Sequence, residues 1–177
     1  VCAKGQYAQN TGTTTCSLCL AGTYLADKGV YSEKHDHVDD CLVCPNGKIA
    51  TSTGLHTCTK CIAGTQIDDN GIDRTKHDDT DDCKICSSGK WAYAGAVYCE
   101  SCEAGRYLTD NSASSAAHTS PVLCALCAKG QWSHANAQTC TECGAGKYLE
   151  DLSLSKNHND EYDCKICPAG RYSQKGS

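Results

Sequence analysis

Bulky side chains recur along this 177-residue chain in one short frame. A cysteine is followed three residues later by a glycine, and two residues after that by a large side chain; Cys19-Leu20-Ala21-Gly22-Thr23-Tyr24 is one complete example. The glycines are Gly5, Gly22, Gly47, Gly64, Gly89, Gly105, Gly130, Gly146 and Gly170. The large positions are Tyr7, Tyr24, Ile49, Trp91, Tyr107, Trp132, Tyr148 and Tyr172, with Gln66 the one polar member. Nine copies of one frame define a tandem array. Between frames, Thr, Tyr, Val and Ile occur in short stretches bounded by Gly, Asn and Asp. This pattern predicts two-stranded β-ribbons and turns with essentially no helix. Loops that touch only their neighbours predict an elongated rod.

The cysteines set the period. Intervals of 13 or 12 residues (Cys2 to Cys16, Cys44 to Cys58, Cys86 to Cys99, Cys127 to Cys140) alternate with intervals of 21 or 20 (Cys19 to Cys41, Cys61 to Cys83, Cys102 to Cys124, Cys143 to Cys164), each joined to the next by C-x-x-C. Repeats therefore run 1–43, 44–85, 86–126 and 127–166, with a fifth starting at 167–177. The frame starts at the second Cys of each C-x-x-C, so the first Cys reads as the end of the preceding loop. Consecutive pairing follows: Cys2–Cys16, Cys19–Cys41, Cys44–Cys58, Cys61–Cys83, Cys86–Cys99, Cys102–Cys124, Cys127–Cys140 and Cys143–Cys164. An interlaced pairing between neighbouring C-x-x-C units is the alternative that spacing leaves open. Cys167 is left over, with its partner expected beyond Ser177.

Composition changes the picture from domain to scaffold. Seventeen Cys stand beside no Phe, no Met and two Trp. Such chains use covalent staples in place of a large apolar core. Each closed loop of this size contributes about 3 kcal/mol on the chain-entropy argument. Oxidised thiols predict an extracellular or cell-surface setting. No apolar run reaches membrane-span length and no signal peptide is visible; the sequence starts and stops inside a repeat, so the expectation is a mature or ordered segment of a longer chain.

The repeated C-x-x-C-x-x-G-x-Y resembles the ephrin-receptor-like cysteine-rich repeats and, more distantly, the tumour necrosis factor receptor modules. Cys44-Pro45-Asn46-Gly47 and Cys167-Pro168-Ala169-Gly170-Arg171-Tyr172 are the closest matches. The resemblance covers the whole chain and implies an extracellular, disulfide-laddered rod of small β modules. The long loops lack the inner cysteines of a full receptor module.

Candidate chemistry lies in the long loops. An aspartate stands eight residues after each opening Cys (Asp27, Asp69, Asp110, Asp151), and a histidine six before each closing Cys (His35, His77, His118, His158). Acidic runs follow in three loops (Asp39-Asp40, Asp81-Asp82, and Asp160-Glu161 with Asp163), whereas the third has Ser120-Pro121-Val122-Leu123. One reading is a site for calcium or another divalent cation. The other is an Asx-turn at Asp27-Lys28-Gly29, with each His hydrogen-bonded inside its own loop. Zinc on C-x2-C-x21-C-x2-C is disfavoured, because the pairs tile continuously and no four-ligand grouping is privileged.

Charge is banded. The long loops hold 19 of 21 acidic residues and 7 of 16 basic ones, a net of −12 against +7 elsewhere. Nucleic acid would need a continuous basic face and is not an expected partner. No N-x-[ST] acceptor occurs; Thr13, Thr14, Thr15, Thr51, Ser52 and Thr53 are the candidates for O-linked glycans. No nucleophile accompanies the histidines, so catalysis is not expected. The expected role is a structural, self-assembling segment of an extracellular fibre or surface appendage. Its partners would be further copies or other matrix and surface proteins. The alternative is the spacer or ligand-binding ectodomain of a receptor or adhesin.

Overall fold

The computed structural model describes residues 1–69, 71–150 and 154–177. The chain forms two compact units, Val1–Lys84 with Ala94–Tyr98, and Ile85–Tyr93 with Cys99–Ser177. Both are a disulfide-rich tandem array of short antiparallel ribbons, with no α-helix among the described residues.

Each ribbon grows from the frame. In the first loop Gln6 N–H donates to the Ala3 carbonyl at 3.1 Å, closing a turn whose third residue, Gly5, has φ +72°. That left-handed position favours glycine. The two residues after the turn then pair with the two after the closing cysteine. In the first unit Gln6–Tyr7 pairs with Ser17–Leu18, Thr23–Tyr24 with Leu42–Val43, and Lys48–Ile49 with Thr59–Lys60. In the second unit Lys90–Trp91 pairs with Glu100–Ser101, Arg106–Tyr107 with Ala125–Leu126, Gln131–Trp132 with Thr141–Glu142, and Lys147–Tyr148 with Lys165–Ile166. C-x-x-C then passes the register on. The second cysteine donates its N–H to the glycine carbonyl of the frame before it, Cys19 to Gly5 and Cys61 to Gly47 at 2.9 Å, Cys102 to Gly89 and Cys143 to Gly130 at 2.7 Å.

The eight bridges join Cys2–Cys16, Cys19–Cys41, Cys44–Cys58, Cys61–Cys83, Cys86–Cys99, Cys102–Cys124, Cys127–Cys140 and Cys143–Cys164. The pairing is thus consecutive; Cys167 is half-buried and unpaired. The core is a series of small clusters. The large frame residue of a short loop packs on the disulfide of the long loop that follows. Ile49 meets Cys61, Cys83 and Ile67; Trp91 meets Cys102, Cys124 and Leu108; Trp132 meets Cys143, Cys164 and Leu149.

The long loops hold a feature absent from the sequence reading, single-turn 3-10 helices in pairs. They are Ser32–Lys34 and Val38–Asp40, Arg74–Lys76 and Thr80–Asp82, Ser115–His118 and Pro121–Leu123, and Ser155–Asn157 and Glu161–Asp163. Single turns leave no hydrophobic period in the sequence, which is why they escape it.

Candidate functional site

One aligned difference between loop types builds the site. Three residues after the frame glycine, long loops carry Leu25, Ile67, Leu108 and Leu149, whereas the first four short loops carry Ala8, Ala50, Ala92 and Ser133. The small residue lets the histidine of the next long loop lie against the ribbon. Ala8 N–H donates to the His35 carbonyl, Ala50 to His77, Ala92 to His118 and Ser133 to His158, all at 2.8 Å. The ring of each histidine then turns back onto the same ribbon. Nδ1 donates to the carbonyl of Gln6 (2.7 Å), Lys48 (2.7 Å), Lys90 (2.6 Å) and Gln131 (2.8 Å). The histidines are buried, none more than 2 % exposed. Each therefore joins a long loop to the short loop before it, a bond that the sequence reading placed inside the histidine's own loop.

The other ring nitrogen does bond within the loop. His35 Nε2 lies 3.0 Å from Asp27 Oδ1, and His77 Nε2 lies 3.0 Å from Asp69 Oδ2. His118 Nε2 is 3.4 Å from Asp110 Oδ2, a charge contact without hydrogen-bond alignment. Asp151, the counterpart for His158, lies outside the described residues. Asp27 Oδ1 also accepts from Gly29 N–H at 2.9 Å, so the Asx-turn and the histidine share one oxygen. Burial pushes the Asp27 carboxyl up, but the His35 hydrogen bond and the Gly29 and Val30 amides more than offset it, holding it below the usual carboxylate range.

The acidic runs are occupied elsewhere. Asp79 accepts from Asp81 N–H at 2.9 Å while Asp82 accepts from Asp79 N–H at 2.9 Å, a reciprocal capping box. Asp160 and Asp163 repeat it on Tyr162 and Asp160 N–H, and in the first loop His37 caps with Asp40 in the return role. In the third loop Pro121 starts the turn, and Ser120 makes no side-chain cap bond. Of the acids in these runs, Asp40, Asp82, Asp160 and Asp163 thus serve as caps. Each couple brings together one Asp and one His, and the described residues contain no group of three His, Cys, Asp or Glu placed to hold a metal ion. As donors for a cation, Asp27 with His35, Asp69 with His77 and Asp110 with His118 are paired; a third ligand would have to come from water or a partner.

The glycan candidates Thr13, Thr14, Thr15, Thr51, Ser52 and Thr53 are all exposed. They flank Gly12 and Gly54, which turn the short-loop tips at φ +78° and +72°. Among the described residues no helix is long and apolar enough to cross a membrane. Bridges of this number belong to oxidising compartments such as the extracellular space. No protein-family model matches the chain, and no curated protein matches it as a relative.

Proposed function

We propose that the chain is a structural repeat segment of an extracellular fibre or surface appendage, assembling with further copies of itself. The observation that carries this reading is the repetition of one junction. Frame glycine N–H groups donate to the carbonyl three residues past the next frame glycine, Gly5 to Leu25 (3.0 Å) and Gly22 to Ala50 (2.8 Å) in the first unit. In the second, Gly89 donates to Leu108 (3.0 Å), Gly105 to Ser133 (2.8 Å) and Gly130 to Leu149 (2.9 Å). Stability in such an array is a sum over repeated nearest-neighbour junctions, which suits a structural segment. The resemblance to ephrin-receptor-like repeats supports the same reading, as does the banding of charge. Copies offset by half a repeat would oppose acidic long loops to basic short ones. Each exposed pair contributes about 0 to 1 kcal/mol, and salt screens it.

Sedimentation of the oxidised 177-residue chain at increasing salt, with electron microscopy of the low-salt material, tests the proposal. The expected outcome is large assemblies at low salt that dissociate as salt rises, each chain staying covalently closed. A strictly monomeric chain throughout would overturn it.

One observation favours a receptor or adhesin ectodomain as the second reading. The third long loop, where Pro121 and Val122 replace the acidic run, borders a groove of about 480 Å³ lined by Trp91, Glu103, Arg106, Pro121 and Val122.

A further inference from the structure

One ribbon of the first unit carries a charge arrangement that the others lack. Lys48 stands directly opposite Lys60 across the antiparallel pair. No other registered ribbon among the described residues opposes two like charges. Such opposition weakens a sheet. Ile49 turns inward onto the Cys61–Cys83 bridge, so its strand neighbour Lys48, and Lys60 opposite, share the other face. Arg106, Lys147 and Lys175 each reach a glutamate at 2.9 to 3.3 Å, whereas neither Lys48 nor Lys60 makes an ion pair among the described residues. The Lys60 stem is also held in place. A Cβ on Gly95 would lie 3.0 Å from its Cγ and Cδ, so the tip of the next short loop leans on it while the residue stays exposed. The ribbon thus presents two uncompensated cations on one face.

The same unit holds a complementary concavity. Between the first two long loops lies a groove of about 530 Å³, walled by Leu20, Val38, Leu42 and Ile72. All four are exposed, Ile72 to 78 %. Asp39 and Asp73 supply carboxylates, and Arg74 is the one cation on the lining. Apolar walls with an acidic lip suit a side chain that is apolar along its stem and cationic at its end, which describes lysine. Building on the reading of the chain as a self-assembling segment, we propose that this groove takes the Lys48–Lys60 ribbon of a second copy. The stems lie on Leu20, Leu42 and Ile72, and the ammonium groups meet Asp39 and Asp73. The contact relieves the cross-strand repulsion that the isolated chain carries. Its two surfaces are different patches of one chain, so each copy offers a ribbon to one neighbour and a groove to another. Copies therefore add in series instead of closing a two-fold pair. Charge complementarity selects the partner, and salt weakens the contact. The groove at the third long loop does not serve this ribbon. Val122 stands there at the position of Asp39, and the one carboxylate on its lining, Glu103, is already paired with Arg106.

Sedimentation of the oxidised chain at low salt, wild type against Lys60→Glu and Asp39→Lys, is the test. Both positions are exposed, and the adjacent turn is capped by His37 and Asp40, so neither change touches a cap. Each variant alone should self-associate about tenfold more weakly than wild type. An equimolar mixture of the two should recover the wild-type association, because the acidic ribbon of one then fits the basic groove of the other. Variants that assemble like wild type, or a mixture no better than its components, would overturn the docking and leave the fibre reading standing. A wild type that stays monomeric removes both. Carbodiimide coupling of wild-type assemblies, with half of the chains isotope-labelled, needs no variant. Links between copies should join Lys48 or Lys60 to Asp39 or Asp73, and links between copies that avoid these residues would place the contact elsewhere and end the proposal.

Discussion

A Cβ on Gly47 would lie 2.2 Å from the carbonyl oxygen of Gly95, a little more than one full repeat further along the chain. The frame glycine is therefore held by two independent constraints, a φ of +74° and the backbone of the next short loop in the space where a side chain would go. A Cβ on Gly5 would likewise meet the carbonyl oxygen of Gly54, and one on Gly89 that of Asn136. In the long loops a Cβ on Gly22 would meet the carbonyl oxygen of Arg74, and one on Gly105 that of Ser155. Contacts therefore run between loops of like kind as well as between neighbours.

Gly47→Ala separates the two constraints when set beside Gly12→Ala. Gly12 has a φ of +78° but open space around its missing Cβ. Its substitution should cost only the left-handed conformation, about 1 kcal/mol. At Gly47 the backbone of the next loop must also move, which raises the expected loss to about 3 kcal/mol or more. Thermal unfolding of the oxidised proteins, read with exchange at Gly95 N–H, measures both. Equal losses at the two sites would show that φ alone selects the frame glycine.

Much of this was legible in the residues because each repeat is stapled alike. Ribbons follow from C-x-x-G-x-aromatic, and the order of pairing from alternating intervals. The histidine junction was only half legible. Asp27 and His35 announce themselves by equal spacing in every long loop, but their second partner is a backbone carbonyl, which carries no residue signature. The readable trace was the exchange of Leu25, Ile67, Leu108 and Leu149 for Ala8, Ala50, Ala92 and Ser133 at one frame position. The capping role of the acidic runs was not legible, for a physical reason. A carboxylate capping its own turn and a carboxylate awaiting a cation look identical in sequence.

His77→Ala should be among the costliest single changes outside the cysteines. It removes the Nδ1 bond to Lys48 and leaves Asp69, whose side chain is 15 % exposed, beside a cavity. An expected loss of about 2 to 4 kcal/mol follows from a deserted carbonyl, the lost imidazole contact to the carboxylate and the void itself. His56→Ala, at an exposed short-loop position, should stay within about 0.5 kcal/mol. Comparison of the two melting temperatures under oxidising conditions checks this. Similar values would mean that the junction histidine is ornamental.

Acid should act on the caps and spare the third loop. The Asp79 carboxyl is held below the usual carboxylate range, first by the Asp81 amide and then by the Thr80 hydroxyl. Asp73 is lowered in the same way by the hydroxyl and amide of Thr75. A carboxyl whose folded value is depressed contributes its full stabilisation above the unfolded value, about 3.9, and loses it as pH falls through the lower folded value. Protection at the Asp81 and Thr75 amides should therefore fall in strongly acidic solution. In the third loop the turn Pro121–Leu123 begins at a proline and has no carboxylate cap, so Leu123 N–H on the Ser120 carbonyl should not respond over the same range. Asp79→Asn keeps a capping oxygen without the titration. It should flatten the response at Asp81 and leave the one at Thr75 unchanged, because the two caps share no donor. A response at Leu123 equal to that at Asp81 would trace acid sensitivity to the loop as a whole and remove the caps from the account.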